Sequence, residues 1–329
     1  MQSAEIPRRQ IARAVSRTAV GRAALTAVVV LVLSVSAPMH CVATDLVTAP
    51  SAVESAEPPA ETATEVSGIE PASLEKRMRA ATEVGALNGA RVSITFMDRV
   101  SGIRATNGNE EPIETASVSK LFIADDLLFR NERGEVDLSG SDRTQIDAML
   151  RSSDDAAAEQ LWNRFGRNDI VGRVAARYGL PSTSVQPGDE WWRTRTTMND
   201  VVTFYSAMID GAGGLSRSRS VAVLSNLQNF TRFGADGYYQ RFGLPDALPD
   251  ENSLGVKQGW MCCVGGDWIH LSTGFVGPDH RYLVAIASRE AASEYGGGSV
   301  GADHARRTMT AIASELFPSG RVDPSCPLS

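Results

Sequence analysis

The chain has 329 residues, 43% of them hydrophobic and 22% charged, enough apolar material to bury a core and too much for a chain disordered throughout. Its formal charge is −7 at pH 7, and an acidic surface argues against nucleic acid or an anionic membrane face as partner. The histidines (His40, His270, His280, His304) are scattered and no Cys-x-x-Cys occurs, so no metal and no cofactor is expected.

Arg8, Arg9, Arg13, Arg17 and Arg22 precede an apolar run over residues 23–37. A basic stretch, about fifteen apolar residues and then small residues form an export signal. Val35-Ser36-Ala37 or Cys41-Val42-Ala43 can each precede a cut. The run falls short of the about 20 residues of a membrane span, with an uncleaved anchor as the alternative. Arg8-Arg9 is weak evidence for twin-arginine export in so basic a leader. Cys41 follows Pro38-Met39-His40 rather than the Leu-small-small pattern of lipidated cysteines, so lipidation is not expected. Loss of residues 1–43 removes five arginines and Glu5 and takes the charge from −7 to about −11.

Residues 44–70 are rich in Ala, Glu, Pro, Ser and Thr and form a linker, leaving 71–329 as the folded domain. A first helix runs through Leu74, Met78 and Ala81. Residues 90–97 alternate as a strand (Val92, Ile94, Phe96), and Arg99-Val100-Ser101-Gly102 turns into a second. After Pro112 a helix opens at Ser117, with Val118, Leu121, Phe122, Ala124 and Leu128 at helical spacing. Residues 141–227 read as helices, including 145–149, 156–162, 171–178 and 201–208, interrupted by an irregular segment over 181–197. Residues 254–260, 268–276 and 281–288 read as three strands with Gly-rich or Gly-Pro turns, and 303–316 as a closing helix. The order implies an α+β fold: an antiparallel five-stranded sheet from both chain ends, flanked by helices, with an all-helical subdomain inserted.

Three motifs carry chemistry. In Ser117-Val118-Ser119-Lys120 the spacing sets a hydroxyl and an amine on one helix face, one turn apart. An amine whose pKa is lowered by burial and cationic neighbours can take the hydroxyl proton and so activate a weak nucleophile. The pattern alone recurs by chance; Ser153-Asp154-Asp155 and Lys257-Gln258-Gly259, in that order, give it weight. The plain alternatives are a Ser117 that caps its helix, Asp154-Asp155 as charges suited to a helix start, and Lys257 as a solvated strand residue. All three must then coincide. Gly297-Gly298-Ser299-Val300-Gly301 fits the nucleophile elbow of α/β-hydrolases, but Asp303 and His304 lie too close in sequence to fold back onto Ser299.

In order and spacing the three motifs resemble the S-x-x-K, S-D-N and K-T-G set of class A β-lactamases and penicillin-binding proteins, over roughly residues 72–318. The resemblance implies Ser117 as the acylated nucleophile, Lys120 as its base and Ser153 as a second proton carrier toward the leaving nitrogen. It implies Lys257, Gln258, Gly259 and Asp155 as substrate-binding positions, with Lys257 facing a substrate carboxylate and depressing the Lys120 pKa. The backbone N–H groups of Ser117 and Trp260 would form the oxyanion hole. The partner it implies is a small-molecule β-lactam or a cell-wall peptide, with membrane contact only through the N-terminal anchor.

Departures from the family pattern bear on activity. Asp155 replaces an Asn; a carboxylate cannot donate to a substrate carbonyl, and its negative charge near Lys120 would favour the ammonium and make that lysine a poorer base. Gln258 replaces a Thr, and its amide can still donate to a carboxylate. The deacylating Glu-x-x-Leu-Asn loop has no counterpart in 187–197, where Glu190, beside Asp189, is the candidate substitute and Trp191 and Trp192 are expected to wall the cleft or anchor the loop. Cys262, Cys263 and Cys326 remain after cleavage; Cys326 is expected to staple the tail to Cys262 or Cys263, against a bond between the adjacent pair. The resulting expectation is an exported, secreted or envelope-associated serine acyl-hydrolase, with a catalytically weak cell-wall or protein-binding module as the alternative.

Overall fold

A computed structural model describes residues 71–322. The expected leader (1–43), linker (44–70) and Cys326 lie outside the described residues.

Helix α1 (Pro71–Leu87) leads into β1 (Ala90–Asp98), β2 (Arg104–Thr106) and the short β3 (Ile113–Glu114). Then come α2 (Lys120–Glu132), α3 (Gly140–Arg151), α4 (Asp155–Phe165) and α5 (Asn168–Tyr178). After β4 (Arg195–Thr196) follow α6 (Met198–Asp210), α7 (Arg217–Gln228) and the single turn α8 (Leu244–Ala247). The chain returns to the sheet in β5 (Leu254–Val264), β6 (Asp267–Val276) and β7 (Tyr282–Ala291), and ends in α9 (Ala292–Tyr295) and α10 (Ser299–Leu316).

The sheet order is β2-β1-β7-β6-β5, antiparallel throughout, as the sequence implied. Strand alternation divides the core in two. Val284 and Ile286 join Val92, Ile94 and Phe96 against Met309, Ile312 and Leu316 of α10 and Leu74 and Met78 of α1. Leu283, Ala285 and Ala287, one residue out of phase, face the helical subdomain. Its central rod is α2, buried from Lys120 to Leu128. Two acids in that rod are paired: Asp125 accepts from Tyr178 and Arg177, and Asp126 from Arg173. Burial nevertheless pushes the Asp125 carboxyl up to about 6, with Arg177 opposing.

The structure corrects two expectations. The helix does not open at Ser117 as an α-helix: residues Ala116–Ser119 form one 3-10 turn and the α-helix begins at Lys120. Ala116, at φ 46°, lies in the left-handed region, where an L-residue costs about 1–2 kcal/mol, so the α-helix cannot continue back through it. Cys262 is joined to Cys263, so neither sulfur is left for Cys326. The adjacent pairing, not the tail staple, is the arrangement found.

Candidate active site

Ser117 stands on the 3-10 turn, where residues three apart eclipse one another, so Lys120 lies directly below it. Lys120 Nζ is 2.7 Å from Ser117 Oγ and, on its other sides, 2.7 Å from the Ser153 carbonyl and 2.5 Å from Asp155 Oδ1. Ser153 reaches this point because its own φ is 53°, a left-handed kink between α3 and α4 that aims both its carbonyl and its hydroxyl inward. Asp154 caps α4 through the Ala157 N–H at 2.9 Å, the structural role open to it from sequence, and leaves Asp155 to face Lys120.

Lys257 enters from β5. Its Nζ donates to Ser153 Oγ at 2.5 Å and to the Gln258 carbonyl at 3.1 Å. Burial draws both lysines below the ordinary range. Lys257 falls well below it, with repulsion from Lys120 adding to burial, while Asp155, and then Asp154 and Asp236, hold Lys120 up. Repulsion between two ammonium groups is mutual, so each lysine favours the neutral form of the other.

Gly259 explains the approach of β5, the edge strand, to this turn. A Cβ there would lie 2.7 Å from the Thr115 carbonyl and 3.3 Å from Ala116 Cβ, so only glycine lets the strand run alongside. Ser117 and Trp260 consequently share one cavity of about 250 Å³, with Asp155, Trp191, Trp192 and Met261. Trp191 and Trp192 wall the cleft as expected, and Trp191 is also an anchor: its Nε1 donates to Glu159 Oε2 at 3.1 Å. Its ring lies 4.4 Å from Lys120 Nζ.

Two sequence candidates are not brought to the cleft. Gln258 lies on the opposite face of β5 from Lys257, and its buried amide donates to the Phe242 carbonyl. Strand alternation makes this unavoidable once Lys257 faces Ser153. Glu190 is not on the cavity wall; its carboxylate turns toward Arg193, 3.9 Å away, over Gly188. The sequence reading also missed Gln240. Its Nε2 donates to the Arg151 and Thr231 carbonyls at 2.8 Å, which fixes the amide so that Oε1 accepts from Ser153 Oγ at 3.1 Å. Gln240 belongs to an irregular segment 87 residues from Ser153, and no spacing rule marks it.

The described residues 141–318 match the model of the Beta-lactamase enzyme family, more than half of the chain. The chain belongs to the β-lactamase enzyme family. The matched stretch includes Ser153 and Lys257 and begins after Ser117 and Lys120. Proteins of Mycobacterium tuberculosis and Mycobacterium bovis named “Putative lipoprotein LppW” are 45% identical over 249 residues, 76% of this chain and 76% of theirs. A β-lactamase from Xanthomonas campestris pv. campestris superposes with a TM-score of 0.60 at 18% identity, covering 74% of this chain and 98% of its own. The class A β-lactamase of Mycobacterium abscessus does so with a TM-score of 0.56 at 16% identity, covering 74% and 98%. At such identities the likeness is one of fold, and the fold is that of β-lactamases.

Proposed function

We propose that the protein is an exported serine acyl-hydrolase of the β-lactamase and penicillin-binding type, acylated at Ser117 by a β-lactam or a peptide-like amide or ester. The observation that carries this is the buried Lys120 Nζ at 2.7 Å from Ser117 Oγ, its pKa lowered by burial. In this reading Ser117 Oγ attacks the carbonyl carbon as its proton passes to Lys120, and the backbone N–H groups of Ser117 and Trp260 receive the oxyanion. Ser153, placed between Lys257 Nζ and Gln240 Oε1, returns a proton to the leaving group. Release of the acyl group is slow, because Asp155 is engaged by Lys120 and Glu190 is turned to Arg193.

A second reading, a binding module that has lost chemistry, is favoured by one contact: Asp155 Oδ1 at 2.5 Å holds the proton on Lys120. Reporter penicillins, a chromogenic cephalosporin, esters and cell-wall peptides decide between the two. Acylation predicts a stable mass adduct that Ser117→Ala abolishes. The absence of adduct and turnover with every class leaves the binding module.

We place residues 1–43 as leader or anchor, 44–70 as a tether and 71–329 as the domain. A relative named as a lipoprotein supports envelope association. The apolar run at 23–37, rather than Cys41, is the proposed targeting or anchoring element.

A further inference from the structure

We infer that the Cys262–Cys263 disulfide is a thiol-exchange site on the cleft wall, opened by low-molecular-weight thiols, and that opening it weakens the grip of the cleft on bulky acyl groups. The exchange stands on the cysteines themselves, and its effect on acyl groups rests on the Ser117-centred reading above. A disulfide supports a fold chiefly by closing a long loop, and a bond between neighbours closes none. Its position gives it another use. Cys263 is exposed, and Cys262 lines the cavity shared with Ser117, beside Met261 and Val264.

The bond and the local backbone hold each other. Successive residues of an extended strand send their side chains to opposite faces, so adjacent sulfurs meet only where the strand is bent. The bend is at Cys263, whose φ of 71° lies in the left-handed region that an L-residue enters only at a cost. There the ladder to β6 slips: Cys262 pairs with Trp268 and Val264 with Asp267, and Cys263 is passed over. Gly297, in the loop before α10, rests on the sulfurs; a Cβ on it would lie 3.2 Å from Cys263 Sγ. Once the bond opens, nothing holds Cys263 at positive φ. Its return to the ladder carries Val264 to the opposite face and out of the cleft wall. Gly265 and Gly266, at φ 67° and 89°, let the hairpin end readjust. Trp260 lies on the regular side of the slip, paired with His270, so the N–H assigned to the oxyanion stays in place. The effect therefore falls on large acyl groups that reach the wall, and not on small ones.

In the exchange, a thiolate attacks the exposed Cys263 Sγ and forms a mixed disulfide. The Sγ–Sγ bond breaks, and Cys262 leaves as a thiolate that takes up the proton the small thiol lost. A second small thiol attacks the mixed disulfide in the same way, so two small thiols are oxidised to their disulfide and both cysteines are reduced. Exposed disulfides are the labile ones, whereas structural ones resist glutathione. The test incubates the purified full chain with excess glutathione, then alkylates and maps it. Both thiols are expected to be alkylated on the peptide that carries Cys262 and Cys263. Hydrogen exchange of residues 261–267 is expected to quicken at least tenfold, with β1 unchanged. A disulfide that stays closed, or exchange that stays the same after opening, overturns the inference.

The effect on the cleft is read with p-nitrophenyl acetate and phenylacetate, which share a leaving group and differ in acyl bulk. With each rate normalised to hydroxide-catalysed hydrolysis, opening the ring is expected to lower the phenylacetyl-to-acetyl ratio of acylation rates at least fivefold. The double variant Cys262→Ser, Cys263→Ser is expected to show the low ratio with or without glutathione. A ratio unmoved by opening, or one that responds to glutathione in the double variant, sinks the proposal. If neither ester labels Ser117, the acylation reading fails and binding decides instead. Phenylacetamide bound at least fivefold more weakly after opening supports the inference; unchanged or absent binding overturns it.

Discussion

Asp155 holds up the pKa of Lys120 against the pull of burial. Burial lowers the Lys120 pKa, and the Asp155 carboxylate at 2.5 Å is the largest opposing influence. Asp155→Asn removes that support, so the pKa falls further and the free amine appears at lower pH. The alkaline-rising limb of the pH–acylation profile is therefore expected to move toward lower pH. A limb that stays in place or moves upward would show that Asp155 does not govern the base. At this scale the sequence was legible where a motif fixes both residue type and direction. Ser117, Lys120, Ser153 and Lys257 meet within hydrogen-bond reach through shared partners. It misled for Gln258, because the motif states adjacency to Lys257 while the pleat sends the two side chains to opposite faces. It was silent on Gln240, whose position is set by tertiary hydrogen bonds alone.

Among the elements, the contact of β5 with the Ala116–Ser119 turn is the joint of the site. Gly259 leaves no room for a Cβ, since the nearest atom is backbone, the Thr115 carbonyl at 2.7 Å, which cannot rotate away as a side chain can. Gly259→Ala is expected to cost about 1–3 kcal/mol by overpacking and to slow acylation at least tenfold, because the strand carrying Lys257 and Trp260 must withdraw from Ser117. Denaturation midpoints and adduct formation measured on the same variant check both parts; unchanged acylation would detach β5 from the chemistry. Strand and helix identities were legible because their apolar periods are strong, as with Val92, Ile94 and Phe96 on one side of β1. The 3-10 turn was not, because Ala116 carries no sequence mark of its positive φ.

For the molecule as a whole, the sheet brings chain segments more than a hundred residues apart into one site, with Ser153 on the helical side and Lys257 on β5 separated by 104 positions. This non-local order was readable from the succession of two strands, helices and three strands, which leaves few ways to close one antiparallel sheet. The cysteine arrangement was less readable, since three cysteines admit several pairings and spacing cannot choose among them. Non-reducing peptide mapping is expected to recover Cys262 and Cys263 linked within one peptide, with Cys326 elsewhere; a Cys326 cross-link to either would contradict the structure.

Acylation of Ser117 is the claim on which the rest depends. Intact-mass analysis, followed by peptide localisation, of the protein incubated with a penicillin and with an activated ester tests it most directly. The expected result is one acyl group per chain, found on the peptide carrying Ser117 and absent from Ser117→Ala. An adduct that persists in Ser117→Ala, or a wild-type chain left unmodified by both reagents and by cell-wall peptides, would contradict it.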